Sequence, residues 1–557
     1  MKTALFLALI FTLGVAQGAP VAVSVNTAAN AHPFSPLIFG AAYVDTTRVP
    51  PIGYTVDRWG GNSTTRYNWQ VDVHSTASDY YWENIPDCTA PSCTGTPPAG
   101  NSADAFISAA LGAGAQPLMT IPTIGWTPRS DSPRQHPYLA SFAVSKYGAQ
   151  QSVDPFDTNA GNGNHTNGAP VIGNDPTDTS IAAPPSFEKS WIAHLQSTFA
   201  INGGVKFYTL DNEVMLWNST HRDVHPNPAT YDEIWGKTTS YAAAIKQQDA
   251  NALVTGPVTW GYCDLFGSAA DNCVSGADRD AHGGLPFVAW YLQQVCTYQT
   301  QNGIRLIDYL DLHYYPQDPN VASGSIYSND NDSATVGRRL RSLKELYDAT
   351  WTSEAWIGDL GDDVTWHYSK PNLIPRVKAW INQYCPGTKL AITEYAWDKD
   401  GTDSGAVAQA EALAIFAREG VDMATRWVAP AVGTKAERGF SIFLNYDGAG
   451  AKVSGDSVDA TSANVDQIGV YAFHGNQRTM VLLTNKDTVT HDVALTFDST
   501  HSGTWKLYGF SGANALTQTN TGSINGTALS LSALPPISAS LLVIPDSDEI
   551  FKDGFGG

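Results

Sequence analysis

Lys206-Phe-Tyr-Thr-Leu210 followed by Asp211-Asn212-Glu213, and Lys389-Leu-Ala-Ile-Thr393 followed by Glu394-Tyr395, decide how this chain folds. Each is a short apolar run that ends at once in carboxylates. Between Phe39 and about Pro430 the same grammar recurs: a strand-like run, a polar loop with aromatics and acids, then a helical stretch. The other runs are Phe39–Tyr43, Thr55–Arg58, Gln116–Ile121, Leu253–Pro257, Tyr309–Leu312 and Asp422–Trp427. Helical periodicity marks Asp104–Leu111, Phe187–Phe199, Tyr231–Gln247 and Ser404–Glu419. Strands alternating with helices predict an α/β chain whose parallel strands close into a (β/α)8 barrel of TIM type. An open doubly wound sheet would carry a Gly-rich phosphate turn, and neither G-x-G-x-x-G nor a P-loop is present.

Past Pro430 the texture changes to short alternating runs separated by Gly, Asn, Ser and Asp, such as Thr479–Asn485 and His491–Phe497. These predict a second, antiparallel β-sandwich domain. Val21–Val25 has the same character and is expected to add a strand to it from the other side of the barrel. The expected organisation is an export signal over 1–18, a sandwich strand within 19–38, the barrel over 39–435, the sandwich over 436–545 and a tail over 546–557. Lys2, the apolar run Ala4–Leu13 and the small residues Ala16-Gln17-Gly18 carry the signal reading. No later run is long enough to span a bilayer, so a secreted, membrane-free protein is expected; a monomer is the expected state.

A net charge of −21 argues against a nucleic-acid partner, which needs clustered Lys and Arg. It fits a neutral polymer. Six cysteines in an exported chain predict disulfides. Cys88 and Cys93 flank one short loop and Cys263 and Cys273 another, which leaves Cys296 and Cys385 to pair or stay free.

In a barrel the reacting groups sit at the C-terminal strand ends. Glu213 and Glu394 close strands four and seven, nearly opposite each other, and two facing carboxyls are what glycoside hydrolysis needs. Asn212 is placed to hold a sugar hydroxyl or the nucleophile, and Tyr395 to hydrogen-bond a carboxylate. Glu213 is expected to have a raised pKa, partly through the charge of Glu394. Arg58 is a candidate to orient Glu394. His313 and Tyr314 end strand six, where a hydroxyl or the nucleophile could be reached. Trp126, Trp217, Trp397 and Trp427, with Trp260 and Trp366, lie at or after strand ends and are candidates to stack on sugar rings; plain packing is the rival for each.

Several of these stretches resemble glycoside hydrolase family 44: Tyr208-Thr-Leu-Asp-Asn-Glu-Val-Met-Leu-Trp217 with Asn218-Ser-Thr-His221, Arg58-Trp-Gly-Gly-Asn-Ser-Thr-Thr-Arg66, Asp311-Leu-His-Tyr-Tyr-Pro316 and Ile392-Thr-Glu-Tyr395. The resemblance implies a barrel joined to a β-sandwich, endo-attack with retention on β-1,4-glucan or xyloglucan, Glu213 as acid/base and Glu394 as nucleophile. It makes Trp427 the floor of the cleft. Other retaining β-glycanases, acting on xylan or mannan, share this chemistry, and a non-catalytic sugar-binding barrel is a further alternative. One departure is Val214, where family members often carry Pro. No cofactor is required for the chemistry. Glu83, Asp154 and Asp157 resemble the family's metal-holding region and are candidate ligands for a structural Ca²⁺, with a metal-free acidic surface as the alternative.

Overall fold

The computed structural model describes residues 19–87, 100–318, 325–397 and 399–546. Eight parallel strands close a barrel in chain order: Gly40–Ala42, Val56–Trp59, Gln116–Ile121, Phe207–Leu210, Leu253–Thr259, Tyr309–Tyr314, Lys389–Tyr395 and Met423–Arg426. Both faces of these strands are covered, so Phe207–Leu210 and Tyr309–Tyr314 are buried at every position. That is the burial expected of parallel strands wrapped by helices. The helices Ser102–Ala113, Pro185–Phe199, Tyr231–Gln248 and Asp403–Glu419 fall where the periodicity placed them. Helix Lys435–Leu444 continues the barrel pattern past the boundary expected at 435, and the next strand begins only at Asp456.

The barrel interior is layered. An apolar floor of Val56, Leu118, Phe207, Tyr309, Ala391 and Met423 lies toward the N-terminal strand ends. Above it Asp311 accepts hydrogen bonds from Thr255 Oγ1 at 2.5 Å and Thr393 Oγ1 at 2.6 Å. A register shift between strands six and seven then pairs Leu312 with Ile392 but His313 with Glu394. Thr393 and Glu394 therefore both face inward, and the shift aims the glutamate at the mouth.

The second domain is one hydrogen-bonded sheet. Val21–Asn26 lies antiparallel to Asp456–Ser462 and parallel to the start of the long strand His491–Ser511. Its burial alternates strictly, with Val21, Val23 and Val25 turned into the core that also holds Val481, Leu495 and Leu542. The two domains share a polar bolt. Glu411, fully buried on helix Asp403–Glu419, accepts from Tyr471 Oη, Thr484 Oγ1 and Lys486 Nζ at 2.9, 3.1 and 2.9 Å. Cys263–Cys273 and Cys296–Cys385 are disulfides. Cys88, Cys93, the expected signal and all of the tail but Asp546 lie outside the described residues.

Candidate active site

Strand four ends in a short, unusual turn. Asp211 (φ 66°) and Glu213 (φ 47°) both occupy the left-handed region although both carry a Cβ. Such residues cost on the order of 1–3 kcal/mol each and persist only where their surroundings impose them. The turn lifts the Glu213 carboxyl over the mouth, where its side chain keeps 17% exposure. Val214, buried, opens the 3-10 turn Val214–Leu216 that follows.

Opposite stands Glu394. Arg58 Nη1 donates to its Oε1 at 2.6 Å and Tyr315 Oη to its Oε2 at 2.8 Å. The other Arg58 nitrogen, Nη2, donates to Asn212 Oδ1 at 2.9 Å, and Gly61 N donates to the same oxygen at 3.2 Å. The Asn212 amide is thus oriented by its oxygen, which turns its NH2 group outward toward Asn62 Oδ1 at 3.5 Å.

His313 lies between the two acids. Its Nδ1 is 3.0 Å from Glu213 Oε1 and 3.5 Å from Glu394 Oε2. Burial pushes its pKa down to about 3 against the pull of Glu394, with Arg58 adding to the fall, so the ring is neutral. Arg58 Nη2 at 3.4 Å from Nε2 can only donate. That leaves the proton on Nδ1, facing the glutamates.

Burial pushes Glu213 up to about 7; Arg58 opposes this and Asp79 adds to it. The like charge that adds to the rise is that of Asp79, not the expected Glu394. One oxygen of Glu213 and one of Glu394 lie within 4.8 Å of each other.

Of the residues singled out in the sequence, Arg58, Asn212, His313, Glu213 and Glu394 meet in this cluster. Trp427 borders it: its ring centroid is 5.9 Å from the Arg58 guanidinium carbon, and a Cβ at Gly61 would sit 2.5 Å from the indole. Trp126 is half-buried on the ribbon Trp126–Pro128, paired with Ser180–Ala182, and lines an open groove with Arg129 and Asp131. Trp260 and Trp366 are half-buried against the barrel core.

The others are not brought there. Tyr314 points outward and donates to Glu345 Oε2 at 2.5 Å. Tyr395 is buried against Phe416 and accepts from Gln409 Nε2 at 2.9 Å. Trp397, buried, donates to Ser342 Oγ at 3.1 Å. Trp217 is buried behind the turn and donates to Asp211 Oδ1 at 3.3 Å. Tyr315, which the sequence reading missed, follows from strand alternation: it shares the inward side with Asp311 and His313.

In a second group, Glu83 and Asp154 come together with His136, a residue not anticipated as a partner, each offering one ligand atom within 4.8 Å of the others. Asp157 stands close enough to raise Glu83 electrostatically but is not in that group of three. Glu83 Oε1 is buried without a hydrogen-bond partner. Burial and Asp154 push this carboxyl up to about 7, and a cation among these atoms would offset both.

A closed barrel with two carboxyls facing at its C-terminal mouth is a glycosidase architecture. The sequence profile of glycoside hydrolase family 44 matches residues 73–318. CelM2, a bifunctional glucanase-xylanase protein from a metagenome library, is 37% identical over 95% of this chain and 100% of that chain, with a TM-score of 0.87. Cel44A, a family 44 endoglucanase from Clostridium thermocellum, is 25% identical over 94% and 100%, with a TM-score of 0.77. Endoglucanase A of Paenibacillus lautus is 28% identical over 96% of this chain and 74% of that protein. The chain belongs to glycoside hydrolase family 44.

Proposed function

We propose that this glycoside hydrolase cuts internal linkages of β-1,4-glucans with retention of configuration, by double displacement. The approach of Glu213 and Glu394 oxygens to within 4.8 Å carries the reading. Retaining enzymes hold their carboxyls about 5–5.5 Å apart, whereas inverting ones leave about 6.5–9.5 Å for a water. Glu394, held by Arg58 and Tyr315, attacks the anomeric carbon while Glu213 protonates the departing oxygen. Glu213, then anionic and accepting from His313 Nδ1, removes a proton from the water that releases the sugar. The outward NH2 group of Asn212 and the indole face of Trp427 are the sugar contacts.

The glucan preference is supported by the names of CelM2 and of the Paenibacillus enzyme. The second activity in CelM2's name supports xylan as a further candidate substrate; the family resemblance adds xyloglucan. The apolar run behind Lys2 supports export, and among the described residues no helix is long and apolar enough to cross a membrane. The Glu83–His136–Asp154 group is proposed to hold a divalent cation, structural in role; its imidazole admits softer metals than calcium.

Product analysis on carboxymethylcellulose, xyloglucan, xylan and mannan in parallel tests the substrate class. A fall in viscosity ahead of reducing-end release on the glucans is expected. Release from mannan alone, or from none of the four, refutes the assignment.

A further inference from the structure

We infer that Asp211 is the positioning residue of the acid/base, fixing the backbone turn from which Glu213 acts. The inference rests on the reading of Glu213 given above. Asp211 is fully buried, behind the acid/base rather than beside it. Its Oδ1 accepts from Thr65 Oγ1 at 2.7 Å, Asn212 N at 2.8 Å and Trp217 Nε1 at 3.3 Å. Its Oδ2 accepts from Thr123 N at 2.5 Å, Thr123 Oγ1 at 3.1 Å and Ile124 N at 3.0 Å. These donors belong to the loops after barrel strands two, three and four, so one carboxylate ties three strand ends together.

The tie bears on the acid/base in two ways. Asp211 is itself left-handed, as is Glu213 two residues on, and its side chain grips the intervening Asn212 N–H. It also holds the indole of Trp217, at the end of the 3-10 turn that Leu216 N closes onto Glu213 O at 2.8 Å. Both backbone flanks of Glu213 are therefore set by the same carboxylate. The effect is one of position and not of charge, because the field at Glu213 comes from burial, Arg58 and Asp79.

Asp211→Asn is the discriminating variant. Whichever way the new amide turns, its NH2 group meets two N–H groups that can only donate, beside one threonine hydroxyl, while the volume is almost unchanged. A misplaced acid matters only when the leaving group needs a proton. For Asp211→Asn, kcat/KM on a cellobioside with a poor leaving group is expected to fall on the order of a hundredfold, and on 2,4-dinitrophenyl β-cellobioside by less than about threefold. Thr65→Val, which deletes one donor, gives the same pattern in smaller measure and carries the test should Asp211→Asn fail to fold. Glu213→Gln is run beside them. If Glu213→Gln is selective for poor leaving groups while the Asp211 and Thr65 variants slow both substrates alike or neither, the positioning role falls and the acid/base reading stands. If Glu213→Gln slows both alike, the acid/base reading falls and the positioning role with it.

Discussion

Arg58 and Glu394 form a buried ion pair, Nη1 to Oε1 at 2.6 Å, and the same guanidinium reaches Asn212 with its other terminal nitrogen. Only a planar fork can hold both at once. Arg58→Lys keeps a charge but gives up one contact, and polymer hydrolysis is expected to drop on the order of a hundredfold, as when a preorganised donor is removed. Arg58→Ala leaves Glu394 buried without its partner, at a cost of about 3–5 kcal/mol. A lysine variant with unchanged kcat and Tm would show that the fork is dispensable.

The alkaline limb of kcat/KM belongs to Glu213. Its carboxyl is pushed up to about 7 in the folded chain, and an acid must hold its proton, so activity is lost as pH rises through about 7. The sign for stability is the same. Between the ordinary value of 4.5 and about 7 the folded state keeps a proton that the unfolded state has released, so stability declines as pH climbs through that window. Asp57, Glu83 and Glu345 are also raised to about 7 and share the stability slope, whereas the activity limb isolates Glu213. A pH–rate profile in which Glu213→Gln keeps the same alkaline limb assigns that limb elsewhere.

Azide separates the two roles. Glu213→Ala still forms a glycosyl-enzyme from an activated aryl glycoside, and azide attacking it gives the β-glycosyl azide. In Glu394→Ala azide enters the vacated side and gives the α-azide. NMR of the products reads the outcome directly, and reversed stereochemistry exchanges the assignments.

Metal loading is expected to stabilise the fold. A cation that binds only the native chain raises its stability by mass action, so EDTA should lower the Tm of metal-loaded protein, with little change in the leaving-group dependence of catalysis. His136→Ala should remove that EDTA effect. Identical melts of loaded and chelated wild-type protein exclude the site.

Glu411 should matter to the joint between the domains and not to the chemistry. Glu411→Ala leaves the buried Lys486 ammonium and two hydroxyls without their shared acceptor, a loss of about 3–5 kcal/mol. Tm should fall by several degrees while kcat at 25 °C stays near wild type. A parallel loss of kcat would tie the joint to the mouth.

The barrel was legible because parallel strands buried on both faces read as apolar runs, and Glu213 and Glu394 because each closes one. The errors came from side-chain direction. Tyr314 reads with His313 as part of one strand end, yet alternation turns it to Glu345 and brings Tyr315 in. Tyr395 follows Glu394 directly in the sequence, but the register shift gives the inward direction to Thr393 and Glu394 and sends Tyr395 out. Trp217 and Trp397 stand near strand ends as large packing groups, a role that position alone does not separate from stacking. His136 joins Glu83 and Asp154 through loop folding, which leaves no periodic trace.

The strand Val21–Asn26 has consequences for how this protein is made. During synthesis its valines emerge well before either of their neighbours, Asp456–Ser462 and the start of His491–Ser511, exists. The barrel can assemble in the interval, but the strand stays an open sheet edge until the distant partners arrive, and such an edge is prone to pairing with other chains. Shielding that segment until its partners are made should therefore raise the yield of folded protein.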